Sequence, residues 1–465
     1  MPILIEPGRR EFLKTAGGTA VWSSVPAGAS AAPQAVRGDD RPVGAVIGLG
    51  GRGRGMAEWQ MPPYADVVAI CDVDLRKAGP VVEALYKRTG RKVEVYQDYR
   101  RLLDRKDIHV IANTTPPHWH TRINVDACRA GKDVYAEKPM TLTIDEGKIL
   151  RKVVAETGRV IQIGSQQRSG QQFYIACDLV RHGRIGKLKQ IAVILPPGSY
   201  EHGGPCAEED VPRELNWDMW QGQAPVQPFC SARLRSGSYS EYAGGLVTDW
   251  GAHHMDIAHW GMGGEEVGPL SIEAQGYCPN LGKSGYPDQF HPFSARLEYL
   301  DGIEMWFFSG FKEPNEANQA ALRNVVEQVY GKIPENIRNY RAPDNEGGVL
   351  FIGSKNSIFV GRAVAVGEGV GELTGMPLPE NQHMRWRACL YPHMQNFVEC
   401  VGTRRKPVSN VAEQHRSQLP CHLVNIALRV GRKLRWDPKR EEFVGDQEAN
   451  SQLRRAQREP YQIKG

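Results

Sequence analysis

A chain of 465 residues with 41% hydrophobic composition can bury a full core and has the length of two or three domains. Lys and Arg number 58 against 53 Asp and Glu, and the +5 balance is interspersed along the chain, which excludes the concentrated basic footprint of a nucleic-acid binder. The run Arg429, Arg432, Lys433, Arg435, Lys439 and Arg440 fits a solvated helix face.

The first segment is an address. Arg9-Arg10-Glu11-Phe12-Leu13-Lys14 is a twin-arginine pattern, an apolar stretch follows from Thr15 to Pro26, and Ala29-Ser30-Ala31 suits cleavage. Residues 1–31 are therefore expected to direct Tat-type export to the periplasm or another exported location, with the Tat machinery as a partner. Gly17, Gly18, Ser23 and Ser24 leave the stretch too short and too polar to span a bilayer, so no transmembrane helix is expected in the mature chain.

From residue 42 to 165 short apolar runs alternate with helical stretches, the pattern of a doubly wound parallel sheet. Strands are expected at Val43–Ile47, Val67–Cys71, Val93–Tyr96, Val110–Asn113, Asp133–Ala136 and Val160–Ile163, all too apolar to have a wet face. From 166 to 465 the texture changes to Trp- and Pro-containing loops between Leu195 and Ser231, and then to strands at Ile272–Tyr277, Phe293–Tyr299 and Ile303–Phe308. This predicts a substrate-binding α+β domain with an open, largely antiparallel sheet. Leu419, Leu423, Ile426, Ala427 and Val430 predict one late amphipathic helix that packs back on the body, with Pro420 near its first turn.

Gly48-Leu49-Gly50-Gly51-Arg52-Gly53 satisfies GxGxxG directly after the first strand, where glycines let backbone approach a pyrophosphate and a helix N-terminus meets its charge. Asp72 ends the second strand, where a carboxylate accepts from the adenosine ribose and repels a 2′-phosphate. The unit Val43–Asp74 is thus expected to hold NAD, with NADP disfavoured. Arg52, Arg54 and Arg76 are the groups that would admit NADP.

Two segments carry the expected chemistry. Glu137-Lys138-Pro139 follows the fifth strand, so Lys138 is aimed at the reacting end of the cofactor, where an ammonium stabilises an alkoxide. A lysine paired with a neighbouring carboxylate is the plainer reading of the same position. In Asp249-Trp250-Gly251-Ala252-His253 a helix would put Asp249 and His253 on one face, letting the carboxylate orient a general-base imidazole. His253, His254, Asp256 and His259 as metal ligands, or as core and cap residues, are the competing readings. No metal is expected. The nine cysteines form no CxxC or Cys/His spacing; Cys71 and Cys128 fit buried thiols, and pairing among Cys206, Cys230 and Cys278 stays open.

The glycine turn, Asp72, the Thr115-Pro116-Pro117-His118 loop, Glu137-Lys138-Pro139 and the Asp249/His253 spacing together resemble the glucose-fructose oxidoreductase, inositol dehydrogenase and MocA family. The match runs with specific motifs from Val43 to about Trp260 and more loosely beyond. The resemblance implies that Lys138 and His253 flank the reacting carbon, that Asp249 supports His253, and that Thr115, Pro116, His118 and Glu137 border the nicotinamide ribose. It implies sugar, sugar-derivative or polyol substrates, while the insertion from Leu195 to Ser240 departs from the short members; the open sheet face is expected to offer a surface for a homo-oligomer. Export adds that NAD must be retained and returned to its starting redox state on the enzyme, or its electrons passed to another acceptor. The expected function is oxidation of a CH–OH group. A redox-neutral NAD-dependent glycosidase is the alternative, and a non-catalytic nucleotide-binding protein is the third.

Overall fold

The apolar runs of the first half assemble into one parallel sheet. In the computed structural model, β1 (Val43–Ile47), β2 (Asp66–Cys71), β3 (Glu94–Tyr96), β4 (Val110–Asn113), β5 (Asp133–Ala136) and β6 (Ile161–Ile163) lie in the order β3-β2-β1-β4-β5-β6, every pairing parallel. The direction of winding reverses between β1 and β4, which opens a crevice beyond the carboxyl ends of the strands. β4 and β5 are buried throughout, as a sheet covered on both faces requires. β3 is the exception: as the edge strand it leaves Val95 42% exposed, so this one strand does have a wet face. The structure describes residues 41–198, 203–263, 268–310, 319–343, 345–367, 369–370 and 390–465. The twin-arginine segment lies outside them.

The second sheet is mixed and mostly antiparallel. β7 (Leu188–Pro197), β8 (Ser271–Gly276), β9 (Phe293–Glu298), β10 (Glu304–Gly310), β11 (Gly348–Gly353), β12 (Ser357–Val360), β13 (Ala365–Gly367), β14 (Leu434–Asp437) and β15 (Glu442–Phe443) form it in the order β13-β12-β11-β7-β10-β9-β8-β14-β15. Among the described residues its one parallel pairing is β7 with β10. The sequence reading had no strand at β7. The run Ile191–Leu195 shows no alternation because both of its faces are buried: Ile191, Val193 and Leu195 enter the main core, while Ala192 and Ile194 pack under Trp306, Phe308, Val329 and Tyr330 on the other side.

Helix Val411–Val430 packs against helix Gly251–Met262 and buries Leu419, Leu423 and Ala427. Pro420 sits in its interior, not in its first turn. Asn410 sets the true start, its side chain accepting from the Glu413 amide at 3.2 Å, a cap that places the N-terminus upstream of the apolar pattern.

The Trp-rich insertion docks on the nucleotide-binding sheet. Leu75 N donates to Glu214 O at 3.1 Å and Asn216 N to Val73 O at 2.9 Å, which anchors the short helix Trp217–Gln221 beside β2. Trp217 and Trp220 stack with centroids 4.8 Å apart, and Phe229, Tyr239 and Tyr242 complete their cluster. Cys206 and Cys230 are joined across the insertion, while Cys71 and Cys128 are buried thiols. Among the described residues no helix is long and apolar enough to cross a membrane.

Candidate active site

A cleft of about 580 Å³ opens at the switch point. Gly48 takes φ 89°, and a Cβ there would come within 2.8 Å of the Thr114 and Thr115 backbone, so the turn after β1 lies directly against the end of β4. Gly53 is packed beneath the turn, where a Cβ would sit 1.7 Å from Gly48 O. A Cβ on Gly50 or Gly51 would meet nothing within 4 Å, and both line the cleft. These are the three things a dinucleotide turn needs: a tight bend, close helix packing, and a bare backbone face for a pyrophosphate.

Asp72 is buried at the cleft's edge, accepting from Leu49 N at 2.6 Å and Asp74 N at 2.8 Å, so it braces the turn as well as facing the adenosine end. The three arginines that would admit a 2′-phosphate are all engaged. Arg76 pairs with Asp74 at 2.7 and 2.8 Å, Arg54 with Glu58 at 2.8 Å, and Arg52 with Glu137 at 2.5 Å. Burial opposes the charge on Arg52, but Glu137 and Tyr135 together outweigh it and hold the guanidinium above its usual pKa. Lys77, 3.5 Å from Asp72, is the cation left near this end of the cleft.

At the end of β4, Thr115 and Pro116 line the cleft, with the Thr115 hydroxyl donating to Asn113 Oδ1 at 2.7 Å. His118 does not. It is fully buried, its Nε2 lies 2.8 Å from Trp220 O, and burial pushes its pKa down to about 3. The helix that begins at Pro117 turns His118 inward under the Trp cluster and brings His120 to the cleft instead. His120 Nδ1 lies 2.6 Å from Pro139 O and Nε2 2.7 Å from Thr115 O, spanning the loops after β4 and β5. The His118-to-His120 choice was a matter of helix orientation, which spacing alone does not give.

The reactive wall departs further from expectation. Lys138 Nζ ion-pairs with Asp249 Oδ1 and lies 3.4 Å from the Asp249 carbonyl oxygen. His253 receives no contact from Asp249: its Nδ1 is buried without a hydrogen-bond partner, and the Trp250 ring stands edge-on to it at 6.0 Å. The expected Asp249–His253 pair is therefore replaced by Asp249–Lys138, because a full opposite charge outcompetes an imidazole that is neutral. Burial first, then the charges of Lys138 and Arg362, hold the His253 pKa well below the usual range. His253 stands behind the cleft lining while Lys138 and Asp249 form part of it. His254 binds Glu346 O at 2.9 Å, His259 meets the Tyr299 hydroxyl at 2.9 Å, and Asp256 pairs with Arg168 at 2.8 Å, so these side chains diverge instead of converging on a metal.

A chain of amides joins the two reactive segments. Met140 N donates to Gln418 Oε1 at 2.7 Å, Gln418 Nε2 to Gln414 Oε1 at 2.8 Å, and Gln414 Nε2 to Asp256 Oδ1 at 2.8 Å. All four residues are buried, so the Lys138 loop and the His253 helix are held in one rigid frame. Nothing in the sequence around Lys138 points to residues so distant in the chain.

The NAD-binding Rossmann fold of the Gfo/Idh/MocA oxidoreductase family matches residues 44–165, and the family's C-terminal alpha/beta domain matches residues 203–342 and 378–463. The chain is 24% identical over 369 residues to scyllo-inositol 2-dehydrogenase (NAD(+)) of Bacillus subtilis, covering 78% of this chain and 87% of that one. It is 27% identical over 323 residues to glycosyl hydrolase family 109 protein 2 of Shewanella sp. (strain ANA-3), covering 63% and 64%. The fold is shared with aldose-aldose oxidoreductase from Caulobacter crescentus, at TM-score 0.58 and 16% identity over 85% of this chain and 100% of that one. Myo-inositol 2-dehydrogenase from Lactobacillus plantarum gives 0.55 and 17% over 85% and 99%.

Proposed function

This chain belongs to the Gfo/Idh/MocA family of NAD-binding oxidoreductases, and we propose that it oxidises a CH–OH group of a sugar, sugar derivative or cyclitol with a cofactor that stays bound. The observation that carries the reading is Lys138, anchored on Asp249 at the end of β5 in the same cleft as the Gly48–Gly53 turn. NAD, when bound, supplies the hydride acceptor. Lys138 donates to the substrate oxygen and stabilises the negative charge that grows there. Asp249 holds that ammonium in place. The family resemblance assigns proton abstraction to His253, whose neutral imidazole stands behind the cleft lining with its Nδ1 unpartnered.

Retention of the cofactor is supported by Arg9-Arg10, which marks the chain for folded export, and by the Cys206–Cys230 bond, which suits an oxidising compartment. Mass spectrometry of small molecules released from protein purified out of the periplasm is expected to find NAD or NADH. Nucleotide-free protein of full activity would sink retention. The resemblance to the Shewanella protein favours a second reading, in which oxidation at a ring carbon acidifies the adjacent C–H, the glycosidic bond is eliminated, water adds and hydride returns. Aryl-glycoside release that persists after complete removal of NAD would exclude it.

A further inference from the structure

A second cavity, of about 610 Å³, adjoins the reaction cleft. Gly237, Gly245 and Leu246 line both, so the two volumes meet where two of the three residues have no side chain. A Cβ on Gly237 would meet nothing within 4 Å, which leaves the junction open there. At Gly245 the backbone takes φ 62°, and a Cβ would lie 2.7 Å from Gln289 Oε1, so this side of the junction is set by a close backbone approach to a polar side chain.

The cofactor does not account for the second cavity. The glycine turn, Asp72 and Lys138 all belong to the first cleft and none of them lines the second. The adjoining walls carry aromatic groups, Tyr239 and Phe290, beside directional polar ones, Arg235, Ser238 and Gln289. Gln289 is oriented by its donation to Ala243 O at 2.7 Å, and Tyr239 is clamped under the Arg233 guanidinium at 4.9 Å. Arg235 is exposed at the cavity wall, and its guanidinium is a planar donor suited to sugar hydroxyls. Cys206, tied to Cys230, forms part of the same wall. Apolar faces combined with a few fixed hydrogen-bonding groups are what a sugar ring selects.

We propose that the substrate is an extended glycoside, with one ring at Lys138 and a second sugar unit, joined through a glycosidic linkage, in the cavity bounded by Arg235, Tyr239 and Gln289. The inference rests on the sugar oxidoreductase reading and narrows it away from free cyclitols and monosaccharides. Binding energy from the second unit is available to position the reacting ring, so a truncated substrate loses turnover as well as affinity.

The test uses NAD-loaded enzyme and matched pairs, glucose against cellobiose and maltose and galactose against lactose, with kcat/KM read from the reduced cofactor or the released product. In at least one pair the extended member is expected to exceed the free sugar by about tenfold or more. Gly237→Trp, which fills the junction, and Arg235→Ala are each expected to lower kcat/KM on the extended member far more than on the free sugar. Free sugars that match or exceed their partners in every pair, pairs in which neither turns over, or an advantage that survives both substitutions would overturn the inference. Reduction of bound NAD by a free sugar alone would do so while leaving the oxidoreductase reading intact.

Discussion

The wall of the cleft that carries the Gly48–Gly53 turn is made of backbone, and the wall facing it is made of side chains. On the first, Gly48 and Gly53 lie so close to Thr114 and to each other that a single Cβ cannot be admitted, and Asp72, Arg52, Arg54 and Arg76 all have partners. On the second, Asp249 is 57% exposed around its contact with Lys138, and the buried Nδ1 of His253 has no partner. A wall fixed by backbone packing holds a constant ligand, whereas a wall of charged and polar side chains is where a changing one reacts. Both keep hydrogen-bonding capacity, since Arg52 Nη2 on the first is as unpartnered as His253 Nδ1 on the second.

The largest test of that division is Lys138→Ala, which is expected to lower kcat by roughly 100- to 1000-fold, the scale of losing one charge-stabilising donor. NAD affinity, followed by fluorescence titration, should change little; a parallel collapse of NAD binding would mean the reactive wall also holds the cofactor. Gly53→Ala tests the other wall. A Cβ 1.7 Å from Gly48 O must displace the turn, and overpacking of this kind costs about 1–3 kcal/mol. Both the denaturant midpoint and NAD affinity are expected to fall, and an unaltered NAD affinity would break the claim that backbone packing shapes that site.

Histidines buried behind the reactive wall set a third expectation. Burial lowers His254 and His393 to about 4, so the unfolded chain, whose histidines titrate near the ordinary 6.5, takes up protons first as pH falls. Their folded values are depressed, so folding free energy should decline between pH 6.5 and about 4, at up to ~1.4 kcal/mol per pH unit for each group. Equilibrium unfolding across that window checks it, and His254→Gln should flatten the slope by one group's share. The smallest effect is expected from Asp72→Ser, which removes the carboxylate facing the ribose and should shift the NAD to NADP affinity ratio by roughly tenfold. An unchanged ratio would show that Lys77 and Asp74 govern the choice instead.

The first wall was legible in the sequence because its parts are contiguous. Strand, GxGxxG turn and Asp72 fall within Val43–Asp74, and the glycine positions follow from local geometry. The second wall was legible in its residue types and less so in its pairings. Lys138 and Asp249 could each be named, and helical spacing then suggested Asp249 with His253, whereas the ion pair forms across the chain to Lys138. His118 and His120 both follow Pro117, and only the docking of that helix under Trp220 decides which one faces the cleft. β7 carries a continuous apolar run like those of the first sheet, and only its pairing with β10 and β11 marks it as a strand.

The sequence by itself determined the parallel nucleotide-binding sheet, the glycine turn and the set of reactive side chains, because these depend on residues near one another in the chain and on the chemistry each type can perform. Tertiary structure decided that Asp249 serves Lys138, that His120 replaces His118 at the cleft, that Gln414 and Gln418 lock the two reactive segments together, and that a second cavity opens beside them. Those are contacts between distant segments. Which of the sterically possible ones forms depends on burial and competing charge, and both exist only once the elements have packed.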